Sequence, residues 1–435
     1  MSAIAEAAEK LKRALFFGHH HVVDEVLRDC PEAAHENFGL EVALYDVEAV
    51  KARIEADPGI ATRSIGPRSP ILHLAFSHHI HGQGSQVDMI ATAEALRKAG
   101  ANVNDGYEMQ PGSGQQQSAL YGAIGHADNT ALARWLLSHG ADPNDGESLY
   151  HACELGHLDA LSLLLATGAR PEGTNALARM LDFNNAAGVQ LLLGAGADPN
   201  EGAKPSSTGE TSHAIPALHQ AARRMCSREI GELLMAYGTD GTAPFMGHSA
   251  FAFAKMMGND EIAELLVEVE QDPKLDNTEE AFAAAAKGEI TEEIAALEMT
   301  PEQRRMLSRV VAYDDRLDHV KALVGIGVNP DWPEEMEMPA IHVAGWEGQA
   351  DIVEYLLEFE PDLEAKNGYG GDLMGAIIHG AEYCPARERR DHIGCARIVL
   401  GAGAPLHGAD VAHCGDPAMQ EFLMDWAALN PGQVV

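Results

Sequence analysis

Gly140, Gly168 and Gly196 fall 28 residues apart, and each closes a leucine-rich helix. Around them one phrase returns: a short apolar helix, a Gly, a second helix ending in two or three Leu, then Gly-Ala and a polar turn. It is clearest in residues 148–171, 188–200 and 340–362. Self-similarity at a fixed period marks a stack of repeats, in which no unit buries its apolar face alone and neighbours close a continuous core. A chain of 435 residues would otherwise suggest two or three globular domains. The repetition instead predicts an all-α, curved helical solenoid of about twelve helix-turn-helix repeats. Apolar content of 46% with only 6% aromatics suits helix pairs packed by Leu and Ala.

Within a unit the Gly between the helices ends the first, and the Gly-Ala after the Leu run ends the second, because Gly accepts the left-handed conformation at a helix C-terminus. GADPN at Gly140 and Gly196, GANVN at Gly100 and GVNPD at Gly327 then read as turns of Asp, Asn and Pro. Leu163-Leu164-Leu165, Leu191-Leu192-Leu193 and Tyr355-Leu356-Leu357 are expected in the core. Four insertions interrupt the rhythm: 77–87 and 380–391 inside repeats, 106–117 and 201–213 between them. Gly, Ser and Gln in such loops predict no packing of their own, hence disorder or lids. Residues 272–300 read as a degenerate repeat or bend. It would divide an N-terminal array, 1–271, from C-terminal repeats, 301–407, with 408–435 as the cap that solenoids require.

Leu72-His73, Leu218-His219 and Ile341-His342 are each followed by x-Ala, and Leu120-Tyr121 and Leu149-Tyr150 fill the same slot. These motifs resemble the T-P-L-H-x-A signature of the ankyrin family, whose unit is about 33 residues. The resemblance runs from about residue 11 to about residue 406. It implies a non-catalytic recognition scaffold. No repeat keeps an intact Thr-Pro, and the 28-residue steps are about five residues short of the family period. The finger-like turns by which ankyrin proteins often grip partners therefore look trimmed.

The formal net charge is −36, from 30 Lys+Arg against 66 Asp+Glu. Phosphate backbones are bound by basic clusters that release counterions. The nearest such cluster, 387–390, is interrupted by Glu388, so no nucleic-acid partner is expected. The acidity reads as a solvated outer face that could steer a cationic partner. No run approaches the roughly 18 apolar residues of a membrane span, the N-terminus lacks a signal-peptide core, and six scattered Cys give no disulfide framework. A soluble cytoplasmic protein with reduced thiols is expected.

No G-x-S-x-G, P-loop or dinucleotide glycine fingerprint is present, GAGAD being a helix terminus, so no cofactor is expected. Histidine is abundant, 21 in all. His78, His79 and His81 have no fixed carboxylate or Cys nearby, and His379, Cys384, His392 and Cys395 match no standard zinc spacing. No metal site is assigned.

Counting from the signature Leu, the residues two, five and six positions on are expected to face the concave side. They form the sets Arg13, Phe16, Phe17; His151, Glu154, Leu155; Arg179, Asp182, Phe183; Phe253, Met256, Met257; and Val343, Trp346, Glu347, with Gln220 and Arg223 in a further register. The count predicts an ionisable centre of His151, Glu154, Arg179, Asp182, Gln220 and Arg223. Beside it would run a soft apolar stretch of Phe253, Met256, Met257 and Trp346. A mostly apolar pocket with a few convergent polar groups is the usual small-molecule site, and Met adapts to irregular ligands. The expected function is a recognition scaffold that holds a small amphipathic ligand, or a short apolar segment of a peptide or protein, in its groove. An anionic end would rest on Arg179 or Arg223. The i,i+3 pairs His151/Glu154 and Arg179/Asp182 can equally just stabilise their own helices. The alternative is a hydrolase or lyase in the same groove, with His151 as acid–base, Asp182 or Glu154 holding its tautomer, and an arginine stabilising an oxyanion.

Overall fold

The computed structural model describes residues 2–110, 112, 114–200, 215–241, 244–270, 273–333 and 338–435. The expected insertion at 201–213 lies outside them. The protein is an all-α helical repeat solenoid that divides into two compact units, 1–207 and 208–435.

Among the described residues the first unit contains six helix pairs. They are α1 (Ala3–Phe17) with α2 (His20–Asp29), α3 (Phe38–Ala43) with α4 (Val47–Ala56), and α5 (Pro70–Ala75) with α6 (Gln86–Lys98). Then follow α7 (Ala119–Tyr121) with α8 (Thr130–Ser138), α9 (Ser148–Ala152) with α10 (Asp159–Ala166), and α11 (Ala176–Asp182) with α12 (Ala186–Gly194). Gly140, Gly168 and Gly196 take φ of 93°, 100° and 97°, the left-handed backbone that their helix ends require. The turns after them also staple one repeat to the next. Asn104 Nδ2 donates to the Gly140 carbonyl (2.9 Å) and its Oδ1 accepts from Asp142 N–H (2.8 Å). Asn144 does the same to Gly168 (3.3 Å) and Arg170 (2.9 Å). The leucine runs are not core throughout: Leu164 and Leu192 are fully buried but Leu191 is 38% exposed, because a 3.6-residue period turns neighbouring leucines to different sides.

Both insertions of this unit that lie within the described residues pack, against expectation. In 77–87 the Ser77 hydroxyl donates to the Ala43 carbonyl (2.7 Å), His79 is buried in a 3-10 turn, His78–His81, and His81 Nε2 donates to the Ala127 carbonyl (2.6 Å). Within 106–117 lies most of a hairpin, β1 (Gly106–Glu108) paired antiparallel with β2 (Gln116–Ser118). Tyr107 of β1 meets Phe76 edge-on at 5.4 Å. A single aromatic anchors a segment whose Gly and Gln content suggested none.

The second unit contains α13 (Ala217–Arg223) with α14 (Arg228–Ala236) and α15 (Ala250–Met257) with α16 (Asp260–Glu270). Next comes α17 (Asn277–Ala285), which has no helical partner in 286–299. α18 (Pro301–Arg304), α19 (Met306–Val310) and α20 (Leu317–Gly325) follow, then α21 (Ala340–Trp346) with α22 (Ala350–Leu357) and α23 (Leu373–Tyr383) with α24 (His392–Gly401). The unit ends in α25 (Gly408–His413) and α26 (Pro417–Leu429). The segment 272–300 thus falls inside this unit, where Phe282 of α17 is wholly buried in a core that includes Met256, Met306, Val320 and Ile377. Insertion 380–391 is anchored too: His392 Nε2 donates to the Trp346 carbonyl (2.9 Å), and a Cβ at Gly380 would collide with that carbonyl.

Candidate functional site

His151 stands on α9, its ring meeting Tyr121 at 4.9 Å and Tyr150 at 5.0 Å. Room for it exists because Gly125 lies opposite, where a Cβ would collide with His151 Cβ and the Tyr121 ring. Gly125 belongs to a π turn, Gly122–His126, that continues α7; such turns recur at functional sites.

Five charges join in one row across α9 and α11. His151 Nδ1 donates to Glu154 Oε2 (2.6 Å), and its Nε2 lies 3.4 Å from Glu147 Oε2. The other Glu154 oxygen accepts from Arg179 Nη2 (2.6 Å) and Nε (2.9 Å), and Arg179 Nη1 donates to Asp182 Oδ2 (3.0 Å). The guanidinium lies over Phe183 at 4.9 Å and Tyr150 at 5.5 Å. Burial pulls the His151 imidazole down, but hydrogen bonds to Glu147 and Glu154 and their charges prevail, and its pKa rises to about 9. Burial would raise the Glu154 carboxyl, yet His151 and Arg179 hold it below its ordinary value. The row so described holds three carboxylates and two cations. Phe183, 38% exposed, borders it.

The row contains the i,i+3 pairs that the spacing gave, His151 with Glu154 and Arg179 with Asp182, and adds Glu147 and a Glu154–Arg179 link. The acid–base alternative placed His151 on Asp182 or Glu154. The structure bonds it to Glu154 and sets it against Glu147, while Asp182 holds Arg179. An imidazole with its pKa near 9 is protonated at neutral pH and has no lone pair to accept a substrate proton. Likewise Arg179 is engaged by two carboxylates, so an anion there would have to displace one.

The members expected in the second unit do not form a groove lining. Gln220 and Arg223 are buried, Arg223 Nε donating to Gln220 Oε1 (3.0 Å), with the Arg223 charge helping to hold Glu302 ionised. Phe253, Met256 and Met257 are at most 1% exposed. Phe253 is packed between the rings of His219 and His248 (5.4 and 5.9 Å), and Met256 and Met257 belong to the core. The apolar stretch is interior, not a surface for a ligand. Trp346 is half-buried, its carbonyl engaged by His392.

Sequence reasoning missed a second polar cluster. His248 Nδ1 bonds Glu279 Oε1 (2.6 Å) and its Nε2 bonds Thr300 Oγ1 (2.8 Å). Glu279 Oε2 also accepts from Asp276 N–H (2.9 Å), and Thr300 Oγ1 from Gln303 N–H (3.2 Å). The cluster therefore ties the capped ends of α17 and α18 to the turn before α15. Its signal was available in two capping boxes, Asp276/Glu279 and Thr300/Gln303.

Among the described residues no group of three or more His, Cys, Asp or Glu is placed to hold a metal, and no helix is long and apolar enough to cross a membrane. His78, packed by His126 at 5.0 Å, is pushed down to about 3 by burial and by its histidine neighbours, and is neutral.

Residues 120–203, from α7 through α12, match the family described as Ankyrin repeats (3 copies). A comparison with curated proteins gives no match. Among solved structures, the ankyrin repeat domain of human ASB11 is similar at 19% identity over 59% of this chain and 98% of that chain, with a TM-score of 0.25.

Proposed function

Because the chain carries ankyrin repeats, which mediate protein binding, we propose that the first unit is a recognition scaffold for a short polypeptide segment that presents a basic side chain beside an apolar one. The observation that supports this is the carboxylate-rich row of Glu147, His151, Glu154, Arg179 and Asp182 flanked by the exposed Phe183. A basic side chain docking there would join the carboxylates of the row, and an apolar neighbour would cover the Phe183 ring. The formal charge of −36 favours the same partner at long range.

Selection from a random peptide library on the full-length protein tests the reading. Selected peptides should pair Lys or Arg with an aromatic or aliphatic residue, and their binding should weaken as salt is raised. Phe183→Ala should weaken them by roughly tenfold, the scale of a modest interface anchor. Peptides without that bias, or peptides that bind the variant as well as the wild type, would remove the row from recognition.

A further inference from the structure

Away from that row, Arg68 in the first unit has no ion-pair partner among the described residues. Residues 65–68 form a tight turn closed by Ile65 N–H donating to the Arg68 carbonyl (2.8 Å), with Gly66 left-handed at φ 66°. The turn sends Arg68 among three aromatic rings from distant parts of the sequence: Phe16 at 4.6 Å, Tyr107 at 5.7 Å and Phe76 at 5.8 Å. Acidic residues outnumber basic ones by 66 to 30, yet among the described residues no carboxylate pairs with this guanidinium. Its Nε is buried with no acceptor, and the hydroxyl of the adjacent buried Ser69 is also without a partner. Burial accordingly pulls the Arg68 pKa below its ordinary value. A partly buried cation that the protein does not neutralise carries a desolvation cost unless something else pairs with it.

Arg68 lines a cavity of about 220 Å³ together with Leu15, Phe16, Ile65, His73 and Phe76. The neighbouring polar groups are already used. His73 Nε2 donates to the Ile65 carbonyl (3.1 Å), Asn37 Oδ1 accepts from Leu40 N–H (3.1 Å), and Ser77 Oγ donates to Ala43. Glu9 and Lys12 also line the cavity and pair with each other at 3.4 Å. The donors of Arg68 remain open.

We propose that this cavity binds a small apolar monocarboxylic acid, its carboxylate in the fork of Arg68 and its hydrocarbon part against Leu15, Phe16 and Phe76. The planar fork matches a carboxylate with two parallel hydrogen bonds, and a low-dielectric aromatic setting strengthens them. An apolar cavity near 150 Å³ accepts a benzene ring, so this one accommodates an acid of about six to eight carbons. None of the residues in the charged row takes part, so the two readings fail separately.

Calorimetric titration of the full-length protein with benzoate and hexanoate tests the site, with benzyl alcohol and 1-hexanol as neutral counterparts. The acids should bind saturably, and the alcohols at least about tenfold more weakly, as expected for loss of charge-assisted hydrogen bonds. Arg68→Met should abolish the preference for acid over alcohol, and Arg68→Lys should retain part of it. A tripeptide ending in Phe, as free acid and as amide, separates two sources of the same chemistry. Binding of the peptide acid without the small acids supports the carboxylate site and assigns it to a chain terminus. Absence of saturable binding by any acid, equal binding of acids and alcohols, or wild-type behaviour of Arg68→Met overturns the proposal.

Discussion

The turn before α5 and the turn before α15 are closed in the same way and do opposite things with their fourth residue. Both are four-residue turns closed across their ends: Ile65 N–H to the Arg68 carbonyl at 2.8 Å, and Phe245 N–H to the His248 carbonyl at 2.9 Å. Both have a left-handed second residue, Gly66 at φ 66° and Met246 at φ 51°. Both lead into a Ser at the N-cap position of the next helix, Ser69 making no side-chain cap bond and Ser249 accepting from Ala252 N–H, and both are held by a signature histidine. His73 Nε2, from the helix after its turn, donates to the carbonyl of the first turn residue, Ile65 (3.1 Å), and His219 Nε2, from the helix pair before its turn, to that of the fourth, His248 (3.2 Å). In the second unit the fourth side chain, His248, is bonded at both ring nitrogens by Glu279 and Thr300. In the first, the fourth side chain is Arg68 and its guanidinium is left unpaired beside a cavity. The repeat backbone sets where this residue points; the neighbouring segments decide whether its polarity is used inside the protein or left for a ligand.

The largest effect tests whether the turns are equivalent at all. His73 and His219 are each pushed down to about 4, by burial first, and both hold their turns as neutral imidazoles. With the folded pKa below the unfolded value near 6.5, the unfolded chain binds more protons in between. Stability present above about pH 6.5 is therefore lost as pH falls toward 4, and a shift of this size is on the order of 3 kcal/mol per histidine. Hydrogen exchange, corrected for intrinsic rate, should show residues 62–76 and 244–257 loosening together between pH 7 and about 4.5. If only one segment loosens, the two turns are not held by the same device.

Next in size is the removal of a partner that only the second turn possesses. Glu279→Ala leaves His248 buried with one nitrogen unsatisfied and also removes the acceptor for Asp276 N–H. A loss of about 2 kcal/mol is expected, read as a lower urea midpoint. Glu279→Gln keeps an acceptor and should lose less. A Glu279→Ala protein as stable as the wild type would mean that His248 is not secured by the α17 carboxylate, and the contrast with Arg68 would collapse.

How much of this was readable from the chain depends on how local the determining contacts are. Helix pairs and turns were legible because Gly140, Gly168 and Gly196 act through their own backbone. The His151–Glu154 and Arg179–Asp182 pairs were legible because i,i+3 neighbours share a helix face; the Glu154–Arg179 link that merges them crosses 25 residues and was not. Phe253, Met256 and Met257 were misplaced because the register count assumed that every inner helix keeps one free side. In α15, seven of eight residues are buried, Lys255 alone being half-exposed, and a helix apolar all round is an interior one. Arg68 gave no sign in sequence, since its setting is assembled from α1, the turn, α5's end and β1.

The smallest expected effect is the most discriminating for Arg68 itself. If the guanidinium serves the fold as His248 does, Arg68→Met should cost as much as Glu279→Ala. If it is held in reserve for a ligand, the substitution replaces an unpaired, partly desolvated cation by an apolar chain of similar reach among Phe16, Phe76 and Tyr107. Stability should then change by less than about 1 kcal/mol, and a slight gain is the natural direction. The urea midpoint without added acid decides between them. Adding benzoate sharpens the result, because ligand that binds only the folded state raises that midpoint, and should do so in the wild type but not in Arg68→Met. A variant that is markedly destabilised without ligand would make Arg68 a structural residue, and the two turns would differ in chemistry but not in purpose.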